Sequence, residues 1–465
     1  MDKRAAIPVT LPRSDPTRSY WQLDPDGIAD LRSTDSLPDE ADVVIIGSGI
    51  TGAAVAFNLL SNGTRNIVML EARQACSGAT GRNGGHTKAA TYGSFLDHER
   101  QYGIATAVKI ARLELANIRA VHAFAKEHGI DCDSNHCDTV NIVYDPVQWE
   151  QSLHGVKAMR EAMPDGDAPV YTIHSAEEAR EKFFCGRGGD EGVCGAISYE
   201  AGSLSAYKLV IGLLKLCLEK GLNLQTHTPA LGLEKIEGGG WKIETNRGSI
   251  CAKKVVLATN GYTAHLWKKF QGVIVPLRGH VTAQRPGMNM PKEGLPVTYS
   301  FIYKEGYDYM IQRPKGSKFE DDIVIGGALM KGFEGGLEEY GTTDDTVFDG
   351  IIIEALHESL PRYFGDSWGV DNPEGRLRLA WTGIMGYSPD GLPFVGEMPG
   401  EKDLWVSCSF QGHGMVLCWM CARALVTMME GQGKEEELKK LDSWFPEIFK
   451  ITEERMRLTF HGRLH

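Results

Sequence analysis

Gly47-Ser48-Gly49-Ile50-Thr51-Gly52 has the residue types and spacing that hold a diphosphate. It follows an apolar, β-branched run from Ala41 to Ile46 and opens a helical stretch, Ile50 to Leu60. In this setting the first glycine makes the tight turn and the second lets a pyrophosphate approach the backbone. The third lets helix and strand pack closely, while the helix N-terminus offers N–H donors and a positive dipole end. Glu71 closes the next apolar run, Asn66 to Leu70, and would accept hydrogen bonds from ribose hydroxyls, with Ala72 and Arg73 beside it. The pattern predicts a dinucleotide site and leaves FAD and NAD open.

A second glycine cluster favours FAD. Cys76 to His86 contains Gly78, Gly81, Gly84 and Gly85, interleaved with Ala79, Thr80, Arg82 and Asn83. FAD is the longer molecule at its flavin end, and a loop just past the acidic strand lies where ribitol and ring would pass. A third segment, Val255 to Tyr262, ends an apolar strand in the small residues Ala258, Thr259 and Gly261, which allow a diphosphate close above. Ala230, at the head of an expected strand, is assigned to the same site. A fourth group comprises Trp381-Thr382-Gly383, Ser388 to Pro393, and Gln411-Gly412-His413-Gly414-Met415. Its last piece sets glycines and His413 at an expected helix start. That start could face the N1–C2=O edge of a flavin and stabilise charge as the ring is reduced.

These pieces need a scaffold. Ala41 to Leu70 reads as strand, helix, strand, the opening of a parallel βαβ unit. Ile104 to His128 and Ser205 to Lys220 carry apolar residues at spacings of three and four, each closed by a glycine. Short strands follow around Leu231–Ile236, Trp241–Thr245 and Ile250–Ala258. A helix is expected near Thr346–Leu360, a strand at Leu404–Ser407, and a last long helix from Met415 to about Met429. The first 40 residues, with five prolines, read as an extended arm tied down by Tyr20 and Trp21. The chain has 465 residues, enough for two or three domains. With 49 basic and 61 acidic side chains its net charge is −12, which disfavours nucleic acid and anionic membranes as partners. Val43 to Leu60 is long and nearly uncharged, but its glycines break it into strand, turn and helix rather than a membrane span. The opening residues hold no apolar stretch of signal-peptide length, so a reducing, cytoplasmic setting is expected over a peroxisomal one. Cys418 and Cys421 fall inside the last helix and read as packing thiols, and Cys132, His136 and Cys137 lack a second ligand pair, so no metal is expected.

Taken together, the four segments resemble the amine and amino-acid oxidase superfamily of D-amino-acid oxidase, glycine oxidase and sarcosine oxidase. The closest resemblance is to the branch with a GRNGG loop, as in gamma-glutamylputrescine oxidase-like proteins and their fungal relatives. Pro276 to His280, Tyr309 to Pro314 and Ile325 to Gly327 add to it, and the match runs from about Ala41 to Met429. The resemblance implies an α/β (overall α+β) architecture, with a Rossmann-like FAD-binding domain interleaved with a mixed-sheet substrate domain. Residues 41–100, 200–270 and 385–430 would form the FAD domain, 101–199 and 271–384 the substrate domain and linking helices, and 431–465 a tail. It further implies oxidation of a C–N bond in a small amine or amino acid, with hydride passing to flavin N5 and O2 as acceptor. The alternative is an FAD-binding relative whose role has changed, as an oxidative cyclase, a dehydrogenase with another acceptor, or a non-catalytic flavoprotein. Sarcosine oxidases tether FAD through a cysteine before the segment matching Ser388; Trp381 to Tyr387 holds none, so noncovalent FAD is favoured, with His86 the other possible tether. Lys88 stands near where those enzymes place a basic residue. Arg278, Arg313 and Arg378 are candidates for a substrate carboxylate, although each reads first as a structural residue; Arg278 is counted among the catalytic residues. Tyr303, Tyr307, Tyr309, Trp381 and His413 are expected to form an aromatic pocket over the ring. The oligomeric state is left open.

Overall fold

In a computed structural model of the chain, describing residues 1–164, 169–186, 192–431 and 433–462, two eight-stranded sheets organise the molecule. Strand Glu40–Ile46 lies in the middle of the first. It pairs in parallel with Ile67–Leu70 on one side and Gly248–Leu257 on the other. Parallel pairing continues outward to Asn223–Gln225 and to Leu404–Cys408. Phe394–Glu397 adds an antiparallel edge, and the hairpin Ala230–Lys235/Trp241–Thr245 lies against Gly248–Leu257.

The run Val43-Val44-Ile45-Ile46 is apolar throughout because a parallel strand is covered on both faces. Alternate residues point to opposite sides. Val43 and Ile45 join a core built with helices Ile50–Ser61, Ala206–Glu219 and Gly414–Glu430. Val44 and Ile46 join a second core with Trp241, Phe270 and Phe394. The long helix Ile104–Glu127 lies over the helical layer, Phe124 meeting Trp419 with ring centroids 4.6 Å apart.

The second sheet runs, in order, Leu377–Tyr387, Val275–Gln284, Ile323–Gly326, Gly306–Gln312, Thr298–Tyr303, Asp138–Val143, Gly195–Glu200 and Thr172–Ser175. It is antiparallel except where Thr298–Tyr303 meets Asp138–Val143. Its register sets one row of residues across the sheet: Trp381, Val281, Gly326, Tyr309, Ser300 and Asn141. Directly opposed residues share a face, so this row is one surface.

One helix is shifted from its expected place. The structure runs it over Gly350–Phe364 rather than Thr346–Leu360. Asp349 accepts from the N–H groups of Ile351 and Ile352 and caps the first turn, whereas Thr346 is held in a turn on the Asp344 carboxylate. Helices Thr91–Tyr102 and Pro146–Ala162, not foreseen individually, pack on each other and on the second sheet. The first 39 residues contain a helical turn, Asp2–Ala5, and a 3-10 turn, Tyr20–Gln22, capped by Ser19. Tyr20 and Trp21 are buried, and Thr17 N–H donates to the Asp345 carbonyl at 2.7 Å. Among the described residues no helix is long and apolar enough to cross a membrane.

Candidate cofactor cleft and active site

One cleft runs from the carboxyl ends of the parallel strands to the row on the second sheet. The Gly47–Gly52 turn forms its floor at the first end. Gly47 has φ +108°, and a Cβ there would stand 2.6 Å from the Ala258 carbonyl oxygen. A Cβ on Gly52 would stand 1.9 Å from the Gly47 carbonyl oxygen, so this glycine is what lets the helix sit on its strand. Helix Ile50–Ser61 starts at Gly49, which has no side chain to cap it; Thr80 Oγ1 accepts from Ile50 N–H at 3.1 Å, and the next first-turn N–H groups are left to an occupant of the cleft. Glu71 lines the cleft and also braces the turn. One carboxylate oxygen accepts from Ser48 N–H at 3.1 Å and Ser48 Oγ at 2.6 Å; the other accepts from Arg73 N–H at 2.9 Å.

Further along, Arg73 and Arg82 line the cleft and converge on the buried Asp345, at 2.9 and 3.8 Å. Burial pulls the Arg82 guanidinium down to about 10, against the pull of Asp345. Tyr262 and His265 also line the cleft, and the Tyr262 hydroxyl and His265 Nε2 are buried without a hydrogen-bond partner. A second helix N-terminus, that of Gly414–Glu430, opens on the other end; His413 is its N-cap residue and no side chain caps it. Two helix starts, an acidic side chain beside a glycine turn, and orphaned buried polar atoms make a donor and acceptor set that fits a long dinucleotide.

The structure gathers most of the expected cofactor residues into this cleft. Gly47, Gly49, Ile50, Thr51, Glu71, Ala72, Arg73, Gly78, Ala79, Thr80, Arg82, Asn83, Ala230, Ala258, Thr259, Gly383, Gly412, Gly414 and Met415 all line it. Gly52, Gly84, Gly85 and Gly261 stand behind the lining. Gly84 admits Tyr309, whose ring carbon would lie 2.5 Å from a Cβ there, and Gly261 admits the Met385 carbonyl. His86 is half-buried behind Tyr309, ring centroids 5.9 Å apart, with both ring nitrogens unpartnered. The lining also includes residues that no motif marks, Thr10, Leu11 and Pro12 from the N-terminal segment, Val281, Met385 and Phe410, and Cys418, which had read only as a packing thiol.

The expected substrate residues separate. Tyr309 lies in the cleft, wedged between Gly84 and Gly326. Trp381 is fully buried behind it; its Nε1 donates to the Arg82 carbonyl at 2.8 Å and its ring stacks on Tyr20. His413 is exposed, with Nδ1 3.0 Å from the Gln411 carbonyl. Tyr307 is exposed, and the Tyr303 hydroxyl donates to Asp308 at 3.2 Å. The three candidate arginines are each held by a buried carboxylate: Arg278 by Glu339 through two bonds, Arg313 by Asp133 at 2.8 Å, and Arg378 by Asp322. None of the three lines the cleft.

Lys88 sits over the same sheet face as Tyr309. Its Nζ donates to Ser300 Oγ and Asn141 Oδ1, the residues one and two strands beyond Tyr309 in the row. Among the described residues it makes no ion pair. It is partly buried, and burial pulls the ammonium down to about 7.

Comparison with known proteins agrees with this geometry. Residues 42–428 match the family described as FAD dependent oxidoreductase (DAO). The chain is 27% identical over 409 residues to a probable oxidoreductase OrdL of Rhizobium meliloti, covering 86% of each. It is 21% identical to gamma-glutamylputrescine oxidoreductase of Escherichia coli, over 84% of each chain. Rat mitochondrial dimethylglycine dehydrogenase is 24% identical over 81% of this chain, which spans only 41% of that protein. Among solved structures, glycine oxidase from Geobacillus kaustophilus superposes with a TM-score of 0.66 at 21% identity, over 84% of this chain and 95% of that one. L-proline dehydrogenase from P. horikoshii gives 0.66 at 18%, over 90% and 100%. The fold is therefore the one expected, Rossmann-like and mixed-sheet, and the chain is an enzyme belonging to the family of FAD-dependent oxidoreductases.

Proposed function

We propose that this enzyme oxidises a C–N bond of a small amine or amino acid, with FAD held noncovalently and O2 as the terminal acceptor. The observation that carries this reading is the convergence, in one cleft, of two helix N-termini with Tyr309 of the second sheet. Bound FAD would supply the hydride acceptor for the carbon that bears the nitrogen, and the resulting imine would be hydrolysed.

The chain's own groups have separate roles. Glu71 and the Gly47–Gly52 turn hold the ribose and diphosphate, and Arg73, Arg82 and Asp345 fix the segment that Trp381 pins from behind. The start of Gly414–Glu430 offers N–H groups and positive potential where a reduced ring would carry negative charge. Tyr309 and the apolar Val281 and Met385 close the substrate end against water. An amine substrate arrives as an ammonium and must lose a proton before its carbon can give up hydride. Lys88, whose ammonium is brought down to about 7 and which lies behind the cleft lining on the sheet face beside Tyr309, would accept it. The cysteine-free stretch Trp381–Tyr387 supports noncovalent attachment.

The test is an anaerobic panel of amines and amino acids added to the yellow holoenzyme, read as bleaching of the flavin band, followed by admission of O2 and a peroxide assay. Bleaching by at least one simple amine, peroxide on reoxidation, and release of the colour by acid precipitation are expected. A flavin that no amine bleaches would refute the reading and favour a changed role. Colour retained in the acid pellet would refute noncovalent attachment.

A further inference from the structure

Residues 8–16 cross the cofactor cleft without belonging to any helix or strand. Thr10, Leu11 and Pro12 line the cleft, while Thr10 itself and residues 13–15 are exposed. The segment is one chain thick here, with the cleft beneath it and solvent above.

It is fastened at both ends. At the first, Val9 is buried in the core that holds Phe270, and Gln271 clasps the passing backbone. Gln271 Oε1 accepts from Val9 N–H at 3.2 Å, and its Nε2 donates to the Ala5 and Ile7 carbonyls, each at 2.9 Å. At the second, Thr17 N–H donates to the Asp345 carbonyl, and Thr17 Oγ1 accepts at 3.0 Å from Thr382 N–H, on the edge strand of the second sheet. In between, Thr10 Oγ1 and Thr343 Oγ1 lie 2.6 Å apart, and Arg73 Nη1 donates to the Arg13 carbonyl at 3.2 Å. The segment thus joins a core of the first sheet to the edge of the second, along the side of the cleft that carries Arg73.

These fastenings are made by side chains. Among the described residues, no backbone-to-backbone hydrogen bond ties residues 8–16 to the rest of the protein. Pro8, Pro12 and Pro16 lack the N–H groups that a ladder would use. A strand inside a sheet leaves only by breaking its ladder, whereas this segment lifts by breaking a few side-chain bonds, each modest in net worth.

We propose that residues 9–17 are a strap that completes the cofactor site, closes over FAD after entry, and must unfasten before FAD can leave. The proposal rests on the reading that FAD occupies this cleft noncovalently. Gln271 is the latch. It holds three backbone groups of the arm and does not line the cleft, so its loss loosens the strap without removing a contact to the cofactor. With the strap shut, release waits on its opening.

The test follows exchange of bound FAD for radiolabelled FAD in the holoenzyme, with substrate absent. Gln271→Ala should exchange ~10-fold faster or more than wild type, the scale of two or three neutral hydrogen bonds. A second variant carries Thr10→Cys and Thr343→Cys together. Oxygen atoms 2.6 Å apart place the replacing sulfurs within reach of a disulfide, and the ten native cysteines are buried or half-buried. When oxidised, this variant should exchange FAD ~10-fold more slowly, or slower still, than when reduced. A folded Gln271→Ala that exchanges at the wild-type rate, or a double variant with one rate in both redox forms, would overturn the proposal. If Gln271→Ala does not fold, the two redox forms of the double variant decide by themselves. Colour kept in the acid pellet, with no exchange in any of the proteins, would overturn the noncovalent reading and the strap with it. Exchange in the wild type that no variant alters would overturn the strap alone.

Discussion

Replacing Lys88 by methionine should make the protein more stable at pH 6 while impairing the reaction. The side chain is partly buried, its acceptors are the neutral Asn141 and Ser300, and burial brings the ammonium from 10.5 down to about 7. A base whose folded-state pKa is depressed costs stability wherever the unfolded chain is protonated and the folded one resists protonation. The cost is absent above pH 10.5, grows as pH falls toward 7, and is fully present below. At about 1.4 kcal/mol per unit, a shift of this size corresponds to ~5 kcal/mol at pH 6. Methionine has similar length, fills the same space and carries no charge. It forfeits two hydrogen bonds and leaves Asn141 and Ser300 each short of a donor, a loss of ~2–3 kcal/mol. The net gain is then ~2–3 kcal/mol, and with an unfolding entropy near 1 kcal/mol/K for a chain of this length, Tm should rise by about 2–3 °C. The assay is thermal unfolding of wild type and Lys88→Met at saturating FAD, at pH 6, 8 and 10. The gap should be widest at pH 6 and shrink or reverse by pH 10. A variant less stable than wild type at pH 6, with a gap that does not narrow as pH rises, would refute the claim that burial strains this lysine. In the same variant, flavin reduction at neutral pH should slow by ~10-fold or more, and Lys88→Arg should not restore it, because a guanidinium stays protonated.

Glu71→Ala should weaken FAD binding by ~10- to 1,000-fold without unfolding the protein, measured by flavin fluorescence on dilution. The carboxylate serves both the Ser48 turn and the expected ribose contact. Asp345→Asn should destabilise the fold by ~3–5 kcal/mol in urea unfolding, since Arg73 and Arg82 would keep their charges in a buried site with only a neutral partner. Gly84→Ala should retain FAD but lower the rate of flavin reduction, because the new Cβ would stand 2.5 Å from the Tyr309 ring and push it out of place. His413→Ala should change that rate by less than about 3-fold in stopped-flow reduction. Its ring is exposed, and the backbone of Gly414–Glu430 carries the helix-end potential without it.

The cofactor end of the cleft was legible in the primary structure because its parts are chain-local. Gly47–Gly52, the strand before it, the helix after it and Glu71 form one βαβ unit, and every contact among them spans fewer than about 35 residues. Residue type alone carries the geometry there, because only glycine fits beneath the Ala258 and Gly47 carbonyls. The helices over Ile104–Glu127 and Ala206–Glu219 were equally readable from their apolar spacing, and Gly414–Glu430, buried on nearly every side, from its apolar run. What the tertiary structure decided is the rest of the site. The row Trp381, Val281, Gly326, Tyr309, Ser300 and Asn141 exists only through the register of six strands drawn from residues 138–387. No local pattern marks Asp345 as the anion shared by Arg73 and Arg82, or Thr10 to Pro12 as cleft wall. For the same reason the arginines could be named from the sequence only as candidates that read first as structural. A sequence shows that a guanidinium is present, but whether it is free for a ligand depends on which buried carboxylate the fold sets beside it, and for Arg278 and Arg378 that carboxylate takes both arms of the fork.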